Sequence, residues 1–188
     1  MSEVQPSTRA GVTVTFLRMD NPPADPPRPL PGDVVLIHVT RPSVPFYRYL
    51  YGTVGGPHLW WLRRAVADEA LAALLADPGI AVVVLYRGGE PVGFFELDAR
   101  PRPVINLAYF GLMPFAVGQG LGTPFLRAAV DAAWRWGAKA VTVNTCTADH
   151  PRALPGYTKA GFTFVRSVRE IWDIPNRLGL IVPPHLRA

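Results

Sequence analysis

The run Leu112-Met113-Pro114-Phe115-Ala116-Val117-Gly118-Gln119-Gly120-Leu121-Gly122-Thr123 places glycines at alternate positions. Backbone without side chains turns sharply and lets its amides approach an anion closely. Where such a run opens a helix, the first free N–H groups and the positive end of the helix dipole point at the same place. The chemistry this suits is capture of a phosphate or pyrophosphate by main-chain amides, with no need of a lysine. A tight strand-to-helix turn would favour the same glycines, so the triplet alone leaves both readings open. Two further groups could do chemistry. Glu96, flanked by Phe94, Phe95 and Leu97, is either a carboxylate that burial tunes into a proton acceptor or an edge carboxylate paired with Arg100 or Arg102. Cys146, the only cysteine, ends an apolar run. With no cysteine partner for a disulfide or a zinc site, it reads as a packed core residue.

These groups need elements to hold them. Gly11 to Met19 alternates with a period of two and is rich in β-branched residues, which predicts a strand. Pro22 to Gly32 holds six prolines; with φ fixed and donors removed, it should be an extended surface loop. Val34 to Val39 fits a short strand or the lead into a helix, and the aromatic-rich stretch from Ser43 to Tyr51 fits a bent helix or a lid. Asp68 to Ala76 reads as a helix ended by Asp77-Pro78-Gly79. Ile80 to Tyr86 and Pro91 to Leu97 read as a hairpin turning at Arg87-Gly88-Gly89-Glu90. Val104 to Leu112 supplies another strand, and Gly120 to Trp136 carries apolar residues at helical spacing up to Gly137. Ala140 to Thr145 is a strand, Pro151 to Lys159 a short helix and Phe162 to Trp172 a last strand. Hairpins followed by a strand-helix-strand crossover imply an α/β (or α+β) fold: a mixed, mostly antiparallel sheet with helices on both faces.

With 188 residues, 49% of them hydrophobic, the chain can bury one sizeable core and is short for two domains. We read residues 1–188 as a single domain. No run of about 18 apolar residues occurs, and Met1-Ser2-Glu3-Val4-Gln5-Pro6 lacks the basic-then-apolar pattern of a secretory signal; a cytoplasmic location is the expectation. A net charge of +5 and a pI near 9.8 would suit nucleic acid, an anionic membrane or a phosphorylated cofactor. The basic residues are almost all arginine, scattered along the chain, and no helix-turn-helix, zinc-finger or basic-aromatic stripe occurs. Neither nucleic acid nor membrane is therefore expected as a partner, and no metal is expected.

From Ile80 to Trp172 the order of elements and two motifs resemble the GNAT superfamily of acyl-coenzyme A N-acyltransferases. The glycine run resembles that family's Arg/Gln-x-x-Gly-x-Gly/Ala motif, with Val117 standing where Arg or Gln is usual. His150-Pro151-Arg152-Ala153-Leu154-Pro155-Gly156-Tyr157-Thr158-Lys159-Ala160-Gly161-Phe162 resembles Asn-x-x-Ala-x-x-x-Tyr-x-x-x-Gly-Phe. The Ala, Tyr, Gly and Phe fall in register, while His150 replaces the common Asn. The resemblance implies the family fold, with splayed parallel strands at its centre, and acetyl-CoA as co-substrate. Its pantetheine arm would meet Leu112 and Met113. Its pyrophosphate would meet Val117, Gly118, Gln119, Gly120, Leu121, Gly122 and Thr123, with His150 capping the helix or touching the cofactor. It further implies that Tyr157 protonates the leaving thiolate and that a backbone N–H near Leu112 or Met113 polarises the carbonyl. Some members carry a glutamate where this chain has Asn106, which leaves Glu96 as the nearest candidate base and Asn106 to orient substrate or a water. The acceptor would be a small-molecule or peptide amine, walled by aromatic residues of the first part of the chain, especially Tyr47, Tyr49, Tyr51, Trp60 and Trp61. Homodimers are common in the family, and a domain that binds acyl-CoA without turning it over has the same motifs.

Overall fold

The alternating run near the N-terminus extends into β1 (Ser7–Met19), followed by β2 (Val34–Val39), β3 (Ile80–Arg87), β4 (Glu90–Asp98), β5 (Val104–Leu112), β6 (Ala140–Cys146) and β7 (Thr163–Pro175). The computed structural model describes residues 6–188; the stretch at Met1 on which the reading of the N-terminus rests lies outside the described residues. One mixed sheet takes up all seven strands in the order β2-β3-β4-β5-β6-β1-β7. β5 and β6 are parallel, and the remaining neighbours pair antiparallel. Val34 to Val39 is thus an edge strand and not a helix lead-in.

Helices α1 (Val44–Gly55), α2 (Leu62–Ala65), α3 (Asp68–Leu75), α4 (Gly122–Arg135) and α5 (Ala153–Lys159) cover the sheet. The aromatic-rich stretch is helical because Ser43 caps it, its side chain accepting from the Phe46 N–H, with a proline in the first turn. Tyr47, Leu50, Tyr51 and Val54 then fall on one face at helical spacing and are buried. α4 buries Phe125, Leu126, Ala129, Val130 and Ala133 in the same way.

The two helices lie on opposite faces of the sheet, as the alternation of β4 requires. Phe94 meets Tyr47 of α1, whereas Phe95 meets Phe125 of α4. The short α2 carries no periodic signal. β1 has a place that local pattern does not disclose: it separates β6 from β7 and pairs with both. Among the described residues, no helix is long and apolar enough to cross a membrane.

Candidate active site

β5 and β6 pair only from Val104 with Ala140 to Leu107 with Val143, and then they part. At that point the β4–β5 ladder skips a residue, Glu96 opposing Tyr109 and Leu97 opposing Leu107. Ala108 is the extra residue, and a bulge of this kind bends its strand. The last part of β5 turns away from Asn144 to Cys146 and opens a gap through the sheet. A cleft of about 1210 Å³ passes through it, reaching Tyr109 to Leu112 on one side and Asn144 and Cys146 on the other. The Met113 N–H donates to Val92 O. Antiparallel ladders alternate, so the N–H groups of Leu112 and Phe110 point the other way, into the gap. Leu112 keeps the donor expected of it, and Met113, buried and outside the cleft lining, does not.

On the α4 face, Val117, Gly118, Gly120, Gly122 and Thr123 line the cleft. Gly118 and Gly120 have φ of 86° and 78°, a region that favours glycine. Among the described residues a Cβ on either would meet no atom within 4 Å beyond its chain neighbours, which leaves space for a ligand beside this backbone. No side chain caps α4 at Leu121, Pro124 has no N–H, and the first intrahelical bond runs from the Phe125 N–H to Leu121 O. The amides of Gly122 and Thr123 are the uncapped donors of a helix start, a setting that fits a diphosphate. Two loop residues have other work. Leu121 is wholly buried, and Gln119 braces the loop, donating to Phe115 O and accepting from Arg87.

Tyr157 lies on the same face, its ring edge-on to Phe110 and Phe162, with 7% of its surface exposed. It lines the cleft, and its hydroxyl has no hydrogen-bond partner among the described residues. Burial, and then the charge of Asp149, push its pKa above the ordinary tyrosine value, so the hydroxyl stays protonated and able to donate. His150 also lines the cleft; its Nδ1 accepts from the Arg152 N–H at 3.1 Å, tying the turn that leads into α5.

Glu96 is neither an edge carboxylate nor a cleft residue. It is wholly buried, one oxygen accepting from the Tyr47 hydroxyl and the other from Arg63 Nη2 at 2.7 Å. Arg100 is engaged elsewhere, with Asp98. Both oxygens are thus engaged away from the cleft in which an acceptor would lie. Glu96 anchors Arg63, which does line the cleft beside the Tyr109 ring. Asn106 also lines the cleft, its Oδ1 accepting from the Thr142 hydroxyl at 3.1 Å across the last parallel pairs.

On the α1 face, Tyr51, Trp60 and Trp61 line the cleft, together with His58, Asp149, Glu170 and Trp172. Tyr49 points away, with 45% of its surface exposed, and Tyr47 lies beneath, bonded to Glu96. Trp60 lies on Gly55, where a Cβ would come within 2.3 Å of the indole. Its Nε1–H donates to Asp149 Oδ1 at 3.2 Å, while Asp149 Oδ2 accepts from the Thr145 hydroxyl and the Cys146 N–H. Asp149 and Glu170 carried no sequence signal. Each sits beside a recognisable motif or strand, and only the packing of remote segments brings them to the gap. Cys146 lies on the cleft wall and not in the core; burial and the neighbouring Asp149 push its thiol up to about 12. It stays a neutral thiol and is no ready nucleophile. Among the described residues, no group of His, Cys, Asp and Glu could hold a metal ion.

A glycine cradle on one face, an aromatic pocket on the other and a gap joining them through splayed parallel strands define an acyltransferase fold. Residues 41–162 match the model of the acetyltransferase (GNAT) family, and the chain belongs to that family. No curated protein sequence matches it. Solved structures of the same fold include a GCN5-related N-acetyltransferase from Kribbella flavida (TM-score 0.59, 18% identity, 88% of this chain and 60% of that one). A tandem GNAT protein from the clavulanic acid biosynthesis pathway has a TM-score of 0.60 at 16% identity, over 90% of this chain and 55% of that one. An aminoglycoside acetyltransferase from an uncultured soil metagenomic sample gives 0.56 at 17% identity, over 70% and 89%. The chain spans little more than half the length of the first two.

Proposed function

We propose that this chain transfers an acetyl group from acetyl-CoA to a primary amine by direct attack in a ternary complex. The observation that carries the reading is the gap between β5 and β6, which gives the phosphate cradle and the aromatic pocket one common point. The amides of Gly118 to Thr123 would hold the diphosphate, and the Leu112 edge of β5 the pantetheine arm. An amine on the α1 face reaches the thioester carbonyl through the gap. A C–N bond forms, the C–S bond breaks, the departing sulfur receives the Tyr157 proton, and the proton that the amine gives up leaves to solvent, from which the phenol is restored. The inward N–H groups of Phe110 and Leu112 would polarise the carbonyl oxygen. Holding both reactants across one gap supplies the orientation on which such transfers depend.

A second reading, an acyl-CoA-binding or sensor domain without turnover, is favoured by one observation. The residue at the usual base position, Asn106, is an amide held by Thr142, and Glu96 is sealed off. Thermal melting with acetyl-CoA, together with thiol release over a panel of primary amines, separates the two. Stabilisation with turnover supports the transferase. Stabilisation without turnover supports the sensor, and no stabilisation removes both.

A further inference from the structure

The two faces of the cleft differ in charge. Arg152 and Lys159 border it near the glycine cradle and α5, as suits a phosphorylated ligand, together with Arg127, which is paired with Asp131, and with Asp25 and Arg28 of the loop that Arg127 holds. On the α1 face the charged residues are Arg63, Asp98, Asp149 and Glu170. Arg63 is paired with Glu96 and Asp98 with Arg100, and these charges offset one another. Asp149 and Glu170 have no cation within ion-pair distance among the described residues.

Both carboxylates are aimed by indoles. Trp60 Nε1 donates to Asp149 Oδ1 at 3.2 Å, and Trp172 Nε1 donates to Glu170 Oε2 at 2.7 Å. Trp61 and Trp172 pack on the same small apolar cluster as Leu59 and Ile174, which fixes these rings as one wall. Cys146 lies within the field of both carboxylates. A separate observation points to a ligand where the two faces meet: Tyr157, more than nine-tenths buried and near enough to Asp149 to feel its charge, turns to the cleft a hydroxyl with no partner among the described residues. Two carboxylates fixed at indole N–H edges favour a cation by charge. An anionic acceptor would be repelled, and a neutral one would leave both carboxylates with hydrogen bonds but no counter-charge.

We infer that the acceptor is a small amine carrying a second positive charge, with Asp149 receiving the reacting ammonium beside Tyr157 and Glu170 holding the distal cation. This rests on the acetyltransferase reading and names its substrate class. The imidazole of His58, whose Nδ1 contacts Ala148 O, lies on the same face and leaves Nε2 to accept a proton from the amine.

The test uses the full chain, with pentane diamine, pentylamine and aminopentanoate as probes, each titrated calorimetrically in the presence of CoA. The diamine should bind about tenfold tighter than the monoamine, with aminopentanoate weakest, and high salt should shrink the difference. Glu170→Gln keeps an oxygen for the Trp172 N–H but loses the charge. It should bring the diamine down to the monoamine's affinity, Glu170→Asp should restore part of the preference, and stabilisation by CoA should be the same in all three proteins. Equal affinities for the three probes, no binding of the diamine, or a preference that survives Glu170→Gln would overturn the inference while leaving the transferase reading intact. Failure of acetyl-CoA to stabilise the chain would instead sink that reading.

Discussion

Glu96 and Tyr157 are both buried, yet their surroundings give them opposite uses. Both oxygens of Glu96 are engaged by Tyr47 and Arg63, an arrangement that suits a structural use. Glu96→Gln should keep acetyl-CoA binding and the parent's pH–rate profile. Removing one partner of a buried ion pair strands the other charge, and stability should fall by about 3 kcal/mol, read from the shift of a urea midpoint. A changed low-pH limb with unchanged stability would return Glu96 to the proton path. Tyr157 has a ring fixed by Phe110 and Phe162 and a hydroxyl with no hydrogen-bond partner among the described residues. Tyr157→Phe should therefore leave the fold and CoA affinity alone and lower turnover by roughly 10²–10⁴-fold. Full activity in that variant would mean that the thiolate leaves without a protein acid.

At the scale of an element, the loop into α4 can be tested against a loop with the same backbone demand and no ligand role. Gly120 and Gly137 both have positive φ, 78° and 93°, and neither has a protein atom within 4 Å of an added Cβ. Strain from a side chain at either place should cost about 1 kcal/mol or somewhat more. Gly120→Val also puts methyl groups into the cleft beside the amides of Gly122 and Thr123. Stabilisation by acetyl-CoA should vanish in Gly120→Val and persist in Gly137→Ala, measured by thermal melting. Loss in both would make the effect one of backbone strain and would undo the cradle argument.

For the whole molecule, β1 is the element on which half the sheet depends. It bonds β6 along one edge and β7 along the other, Val14 standing opposite Cys146 and Val168. Val14→Pro would remove a ladder donor from a central strand, and cooperative unfolding followed by circular dichroism should be lost or its midpoint sharply lowered. The molecule also hides several phenols. Tyr47, Tyr51, Tyr109 and Tyr157 are all pushed above the ordinary value, chiefly by burial. In the unfolded chain they ionise near pH 10, while in the folded chain they do not. The phenols' share of stability should then be constant below about pH 10 and fall as the pH rises beyond it, added to a decline from the raised Cys146 thiol that begins near the ordinary thiol value of about 8.5. Denaturant titrations across this range that stayed flat into strong alkali would contradict the burial of these hydroxyls.

The elements that lean on local chemistry were legible in the sequence. Alternation marks a strand, helical spacing of Phe125 to Ala133 marks α4, and glycines at Gly118 and Gly120 meet a backbone requirement that no other residue satisfies as cheaply. These signals are local because φ/ψ preference and amphipathic period act between residues a few positions apart. The motif around Tyr157 added the family by resemblance. What depended on remote segments could not be read. The place of β1 between β6 and β7, the sealing of Glu96 by Arg63, the outward turn of Tyr49 and the meeting of Trp60 with Asp149 all follow from which faces pack together. Asp149 and Trp60 lie 89 positions apart, and only burial of the shared core brings them within a hydrogen bond; a carboxylate's use is decided by the partners that reach it, which no local pattern records.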